Sequence, residues 1–356
     1  MFVAIRDLRF AKERFALMGA VITLITVLVV LLSGLTAGLG AGNTSAITGL
    51  PADHLVFSAP AEGQKLAFTD SSISPAVQAA WSRVPGVRDA DPVTIVMSRA
   101  TAQGRTAGVA VFGVSPGSPV APEVKAGTVV LSAKAAASLD AAPGDRVDVA
   151  GSALTVGEVS GADEFSHAPV IWVAGADVPA SGRETGAATF IALSTDGGDL
   201  TAADRQLGTR TVSLDESLSA IGSYTSENGS LQLMRLMLFV ISALVIGAFF
   251  TVWTVQRSAE IAILKALGAS TGYLLKDALG QAFALLVLGT AAGAALAAGA
   301  GVAITALAGT SVPFELEVST LLLPAVVMIL LGLVGTAASL RTVTTVDPLT
   351  ALGSAR

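Results

Sequence analysis

The chain has 356 residues, of which 52% are hydrophobic and 13% are charged, and its net charge is −6. Soluble proteins carry about 25% charged residues, so a chain this apolar is not expected to be wholly soluble. No run of Lys and Arg is interleaved with aromatic residues, which argues against a nucleic-acid partner. The sequence has no cysteine, which excludes disulfides and cysteine-ligated metal centres. We therefore expect membrane spans combined with one domain in water.

The N-terminal region is a short basic segment followed by a long apolar run. Residues 1–14 are rich in Arg and Lys, and residues 15–40 contain no charged side chain. This run exceeds the 7–15 residues of a signal-peptide core, so a retained first span is favoured over a cleaved signal peptide. Basic flanks stay in the cytoplasm, which predicts a cytoplasmic N-terminus.

Residues 41–230 have the composition of a folded domain in water. Residues 91–114 predict a β-hairpin around Gly104, residues 127–131 predict a buried strand, and residues 132–139 predict a helix. Two more strands follow the turn at residues 143–145. Ser213 and Glu216 have the spacing of a capping box, which predicts a helix from about Leu214 to Gly222. This order predicts a mixed α+β domain but does not fix its topology.

Three further spans follow this domain. Residues 231–256, 278–307 and 318–340 are each long and apolar enough to cross a bilayer, and residues 308–317 form the loop between the last two. Arg341 marks the end of the fourth span as cytoplasmic, together with the tail at residues 341–356. The predicted fold class is thus a membrane α-helical protein with four transmembrane helices and one extracytoplasmic mixed α+β domain. We expect a multi-pass protein of the cell (plasma) membrane with both termini inside.

Residues 257–276, between the second and third spans, predict a short cytoplasmic helix. The segment from Glu260 to Ser270 reads EIAILKALGAS. Its apolar residues form a stripe beside charged residues, and Gly268 is a helix-stop signal. By its residues alone, this amphipathic helix lies either at the membrane surface or against a partner.

The same segment resembles the signature of the MacB/FtsX-type permeases of ATP-binding-cassette (ABC) transporters. The tail DPLTAL, residues 347–352, also resembles the terminus of that family, and the similarity in layout covers essentially the whole chain. The resemblance implies a coupling helix that docks on a cytoplasmic ABC ATPase, through Glu260, Ile261, Ile263, Leu264, Lys265, Leu267 and Gly268. It also implies a homodimer of permeases with two ATPase copies.

The chain contains no G-x-x-x-x-G-K-[ST] phosphate-binding loop. We therefore expect ATP to be bound and hydrolysed on a separate ATPase subunit, and we expect no catalytic residue, no intrinsic cofactor and no enzymatic activity in this chain.

Small residues recur every four positions in the third span, at Gly289, Gly293, Ala297 and Gly301. Such a stripe lets another helix approach closely. Either intrachain packing or self-association would explain it.

The start of the second span carries candidate substrate ligands. If the helix is continuous through Gly229, then Tyr224, Glu227 and Met234 fall within about 80° of one another. Phenol and thioether groups are known haem-iron ligands, and carboxylates suit ferric iron, so this face suits haem. In a two-fold dimer, two copies of Glu227 would face one ligand. The alternative is structural, with Glu227 near a helix N-terminus, Tyr224 in the interfacial aromatic belt and Met234 in packing.

The compact form of the chain is similar to the HrtB-type haem-efflux permeases and the related DevC-like permeases. That resemblance implies export of haem from the membrane to the outside. Two alternatives stay open, namely an FtsX-like mechanotransmitter that regulates an external hydrolase, and efflux of another amphipathic cargo such as a macrolide, peptide or lipoprotein. A metal site at Asp163, Glu164 and His167 is conceivable, but loop carboxylates are usually solvated, so no metal is expected beyond haem iron.

Overall fold

The computed structural model describes residues 12–180, 184–256, 263, 268–308, 312–315 and 317–344. The helices are α1 (Lys12–Thr48), α2 (Pro75–Trp81), α3 (Ala133–Leu139), α4 (Leu200–Leu207), α5 (Leu214–Ser217), α6 (Gly222–Gln256), α7 (Thr271–Ala308) and α8 (Val318–Thr344). The strands are β1 (His54–Ser58), β2 (Val87–Ala102), β3 (Arg105–Val114), β4 (Thr128–Leu131), β5 (Arg146–Val149), β6 (Ser152–Val159), β7 (Glu164–Phe165), β8 (Ala168–Ala174), β9 (Phe190–Thr195) and β10 (Thr209–Ser213).

The chain divides into two compact units. The helical unit comprises Met1–Gly38 and Ser230–Arg356, and the sheet unit comprises Leu39–Gly229. Within the described residues, four helices are long and apolar enough to cross a membrane. These candidate spans are Phe15–Thr48, Gly222–Gln256, Lys276–Leu307 and Val318–Ala338. The fold class is therefore the predicted one, four membrane-length helices together with a mixed α/β domain.

The helical unit packs its four helices around one apolar core. The core contains side chains from α1 (Phe15, Met18, Ile22, Val29), from α6 (Ile246, Phe250), from α7 (Ala282, Leu285, Leu286) and from α8 (Met328). The remaining faces of these helices expose large apolar residues, such as Leu244 and Leu288, to the surroundings. Apolar outward faces are what a hydrocarbon environment requires.

The small-residue stripe of α7 packs against α1 of the same chain. A Cβ atom at Gly293 would lie 2.6 Å from Thr26 Cβ, and one at Gly289 would lie 2.9 Å from Ile22 Cγ2. Thr23 Oγ1 also donates a hydrogen bond of 3.1 Å to the Gly289 carbonyl. Intrachain packing is thus the alternative that explains Gly289 and Gly293, because no bulkier residue would allow this approach.

The sheet unit contains a β-barrel. Its strands pair in the order β2, β3, β8, β4, β6, β5, and β5 then pairs with β2 again at Ala100↔Val149. The pairs β3–β8 and β4–β6 are parallel, and the others in this ring are antiparallel. A core of small and branched residues fills one side of these strands, with Ala135 and Leu139 of α3 packed into it.

A second sheet shares the first half of β2. It has the order β10, β1, β9, β2, and its pairs are antiparallel. Alternate residues of β1 face two cores: Leu55 and Phe57 pack with Phe190 and Phe165, whereas Val56 packs with Trp81 and Ala203. This period of two is the ordinary geometry of a strand that is buried on both faces.

Local predictions in this unit are largely confirmed. The hairpin of β2 and β3 has the predicted turn, and Ser213 and Glu216 form the capping box. The predicted helix begins at Leu214 as expected but does not reach Gly222, because Ile221 is extended and separates α5 and a short 3₁₀ turn from α6. Ile221 is 2% exposed, so burial of its side chain in the core explains the break.

The coupling-helix prediction falls mainly on residues that lie outside the described part of the chain. Of the docking residues, Ile263 and Gly268 are described: Ile263 is exposed, and Gly268 has a φ of 95°. A positive φ is typical of a glycine that ends a helix. The tail at residues 347–352 also lies outside the described residues.

Candidate functional site: a polar hub at Glu227

Glu227 lies near the start of α6. This helix is unbroken from Gly222 to Gln256, so it passes through Gly229 without interruption. The predicted face of Tyr224, Glu227 and Met234 requires a continuous helix, and α6 is continuous over these residues. The Glu227 side chain is 40% exposed, so part of its carboxylate is accessible.

Asn43, in the last turns of α1, is the buried partner of Glu227. Asn43 is 1% exposed. Its Nδ2 donates a hydrogen bond of 3.0 Å to Glu227 Oε2 and one of 3.2 Å to the Leu39 carbonyl. Its Oδ1 accepts a hydrogen bond of 2.6 Å from Ser223 Oγ. Since a buried amide is costly to leave unpaired, these contacts fix the orientation of Asn43.

His167 approaches Glu227 from the turn between β7 and β8. Its Nε2 lies 2.7 Å from Glu227 Oε2 and 2.8 Å from Asn43 Nδ2. Ser166, the preceding residue, has its Oγ 2.8 Å from Ser223 Oγ. Ser223 uses its single hydroxyl proton in the hydrogen bond to Asn43 Oδ1. The Ser166 hydroxyl must therefore be the donor in its hydrogen bond with Ser223 Oγ. We call Asn43, Ser166, His167, Ser223 and Glu227 the polar hub.

The turn that carries His167 is held in an unfavourable backbone conformation. Ser166 and His167 are the two central residues of this turn and have φ values of 52° and 63°. A type I′ hairpin turn requires a positive φ at both central residues. Residues with a Cβ resist this conformation. Backbone hydrogen bonds offset the cost: Ser166 N donates to the Asn43 carbonyl at 3.1 Å, and His167 N donates to the Gly42 carbonyl at 2.9 Å. The turn is thus fastened to α1.

Hydrogen-bond capacity at the centre of the hub is limited. Asn43 Nδ2 can only donate, and His167 Nε2 can either donate or accept. The Asn43 amide has two protons but three neighbours within hydrogen-bond distance, the Leu39 carbonyl, Glu227 Oε2 and His167 Nε2, so these contacts share its protons.

The conceivable metal set of Asp163, Glu164 and His167 is not assembled. Glu164 binds Lys134, with Nζ at 2.8 Å from both carboxylate oxygens, and His167 binds Glu227. Asp163 lines a separate cavity. Among the described residues, no group of three His, Cys, Asp or Glu is arranged to hold a metal ion.

The other two predicted ligands are placed differently from Glu227. Tyr224 packs, partly buried, against the core of the sheet unit. Met234 lies further along α6, in the helical unit, and is 50% exposed. The structure thus brings Glu227 together with Asn43 and His167, two residues that the sequence did not connect with it.

Residues 233–348 match the family model described as FtsX-like permease C-terminal. This match covers about the last third of the chain, including all or most of three of its four candidate spans, so this part of the chain is similar to the FtsX-like permeases.

Similar proteins match the chain over nearly its whole length. A protein of Staphylococcus epidermidis, whose name describes it as hemin transport system permease protein HrtB, is 26% identical over 366 residues, which cover 99% of each chain. An uncharacterized ABC transporter permease of Mycobacterium tuberculosis is 24% identical over 360 residues, again 99% of each. Among solved structures, the periplasmic region of MacB from Actinobacillus actinomycetemcomitans aligns with a TM-score of 0.34 and 13% identity, over 48% of this chain and 92% of that one.

The contact of His167 with Glu227 was not predicted from the sequence. His167 and Glu227 are 60 positions apart, and neither Ser nor His is a typical residue of a type I′ turn. Asn43 was missed because it was assigned to the edge of the domain rather than to α1. The available signal was the polar cluster at residues 43–45, directly after the apolar run of residues 15–40.

Proposed function

We propose that this FtsX-like permease exports haem from the membrane to the outside, with Glu227 as the first protein contact of the iron. The observation that carries this proposal is the Glu227 carboxylate, which is partly exposed and fixed by Asn43 and His167 at the head of a membrane-length helix. A carboxylate oxygen is a suitable ligand for ferric iron.

The relative in Staphylococcus epidermidis supports the choice of cargo, because its name refers to hemin transport and the similarity covers 99% of each chain. In the helical unit, α6 exposes apolar side chains at Met234, Met237 and Leu244. An amphipathic porphyrin needs both features, a polar group for the iron and an apolar surface for the ring. Met234 would supply a thioether on this same helix. Tyr224, which packs on the domain core, is the weakest of the three proposed ligands.

In this proposal the energy comes from a pair of ATPase subunits acting on residues 260–270. Two permeases form a homodimer, and the two copies of Glu227 face one haem. Both termini and residues 257–276 lie in the cytoplasm, so that the force enters α6 at its cytoplasmic end. Haem would displace Asn43 and His167 from Glu227, and their return would release it outward.

The test is haem-stimulated ATP hydrolysis by the permease reconstituted with its ATPase. We expect Glu227→Ala to abolish the stimulation, because the iron loses its ligand, while basal hydrolysis and assembly remain. Glu62→Ala, a change at an exposed carboxylate of the same unit, is the matched control and should retain full stimulation. Unchanged stimulation in Glu227→Ala would remove Glu227 from the mechanism.

A Soret titration of the purified permease separates the alternatives. Bound haem shifts the Soret band, and the shift should be smaller in Glu227→Ala than in the natural protein. No shift in the natural protein would favour another amphipathic cargo or an FtsX-like regulator. A deletion strain then distinguishes these, since loss of a division regulator leaves chains of unseparated cells.

A further inference from the structure

A second candidate site in the sheet unit is a cavity of about 200 Å³ that is open to solvent. Its walls are the segment after the end of α1 (Gly49, Leu50, Pro51), the loop from Pro119 to Pro122, and the side chains of Asp163 and Trp172. A single water occupies about 30 Å³ in the liquid, so the cavity has room for a ligand of several carbon atoms.

Asp163 is the charged group of this cavity. Within the described part of the chain, its carboxylate makes no hydrogen bond or ion pair, whereas the neighbouring Glu164 has Lys134 as a partner. Burial raises the pKa of Asp163 above its usual value of 3.8. A carboxylate that has lost water without gaining a partner attracts a cation strongly.

Gly161 leaves room beside this carboxylate. A Cβ atom at Gly161 would lie 3.0 Å from Asp163 Oδ2, closer than an ordinary contact, whereas one at Gly49 would lie at an ordinary contact distance of 4.0 Å from Oδ1. Gly161 also has a φ of 73°, which a residue with a Cβ rarely adopts. The carboxylate is therefore flanked by backbone rather than by side chains that would cover it.

The remaining walls are apolar or aromatic. Trp172 lines the cavity and is itself held in place by Phe112, with ring centroids 5.0 Å apart. An indole attracts cations through its π-system, and proline and valine side chains favour methylene groups. A carboxylate, an indole and an aliphatic wall together match a cation that carries a short hydrocarbon chain.

We infer that the Asp163 cavity binds an alkylammonium group, presented either by a small organic amine or by a lysine side chain of another protein. The ammonium pairs with the Asp163 carboxylate, and the methylene groups lie against Leu50, Val120 and Trp172. This site is separate from Glu227, and its occupation requires neither haem nor ATP.

The probe is n-butylammonium chloride, titrated into the full-length permease in detergent and followed by tryptophan fluorescence at constant ionic strength. We expect a saturable change that neutral butan-1-ol does not produce. Asp163→Asn, which keeps the shape of the side chain, should weaken binding about tenfold or more, as expected for loss of a charged hydrogen-bond partner. Glu158→Gln, at an exposed carboxylate, should bind as the natural protein does.

Equal binding by Asp163→Asn, equal responses to butanol and butylammonium, or no saturable response would each overturn the inference. Ala121→Phe is the second variant: it fills the cavity, leaves the carboxylate in place and should also abolish binding. A lysine-containing peptide, acetyl-Gly-Lys-Gly-amide, distinguishes the two sources. Competition with butylammonium would identify a lysine side chain as a ligand, and binding of butylammonium without competition would identify a small amine.

Discussion

The polar hub and the Asp163 cavity place carboxylates in opposite situations within one unit of the protein. Glu227 accepts one hydrogen bond from Asn43 and lies 2.7 Å from His167. Asp163 has lost water through burial and has no protein partner among the described residues. Protein groups thus already bind one oxygen of Glu227, Oε2, whereas neither oxygen of Asp163 has a protein partner among the described residues.

Both situations are produced by one short segment. Glu164 is fastened to α1 by Ser45, whose Oγ accepts a hydrogen bond of 2.9 Å from Glu164 N. Phe165 inserts into the core, where its ring lies against Phe68 and Phe112. These two anchors leave Asp163 on one side of the segment and His167 on the other. Small changes in this segment should therefore affect the two sites independently.

The largest effect on stability is expected from Asn43→Ala, which removes the centre of the polar hub. The change removes the amide contacts of Ser223 and Glu227, which keep Ser166 and His167, and leaves a gap at a position that is 1% exposed. We expect the free energy of unfolding to fall by about 2–3 kcal/mol. Each unsatisfied buried group costs about 1–3 kcal/mol, and the cost at Glu227 is lower because water can reach its side chain. The measurement is urea unfolding of the full chain in detergent, followed by tryptophan fluorescence.

Thr48→Ala is the control for Asn43→Ala. Thr48 lies in the same last turns of α1, and among the described residues its hydroxyl bonds only to the Thr44 and Ser45 carbonyls of that helix, at 3.4 Å. Loss of the Thr48 hydroxyl should lower the free energy of unfolding by less than about 0.5 kcal/mol. A similar cost for both variants would mean that the hub does not hold α1 and α6 together in the sheet unit.

A smaller effect is expected from Lys134→Met, which breaks the pair with Glu164. The Glu164 side chain is 13% exposed and would be left without its counter-charge. We expect a loss of about 1–2 kcal/mol, below the value for fully buried pairs because Lys134 is itself partly exposed. Arg88→Met, in an exposed pair with Asp196, should change stability by less than about 1 kcal/mol. Equal losses would show that Glu164 is as well solvated as Asp196.

Much of the fold follows from local sequence patterns. The four apolar runs predict the long helices, and the spacing of Ser213 and Glu216 predicts a cap that the structure contains. The length of α1 was underestimated because residues 43–45 are polar. In the structure Thr44 bonds back to the Gly40 carbonyl, and Ala46 and Ile47 are buried in the domain core, so the helix continues to Thr48.

The barrel and the polar hub depend on contacts between distant residues, which local patterns do not encode. Closure of the barrel joins Ala100 to Val149, and the hub joins Asn43 to Glu227, 184 positions apart. Glu227 itself could be selected from the sequence, because a lone carboxylate before an apolar span is conspicuous. The identity of its partners required the fold.

The smallest effect is expected from Asp163→Asn in the absence of a ligand. Burial raises the pKa of Asp163 in the folded state, so ionisation costs folding free energy at pH values above that pKa. The Asn variant avoids this cost and should be more stable at neutral pH, by a few tenths of a kcal/mol after allowance for solvent screening. As the pH falls through the raised pKa towards the ordinary value of 3.8, Asp163 becomes protonated in the natural protein and the advantage of the variant should disappear. Urea midpoints of both proteins across this range provide the measurement. A variant that is less stable than the natural protein at neutral pH would mean that Asp163 already has a favourable partner, and the contrast with Glu227 would then be lost.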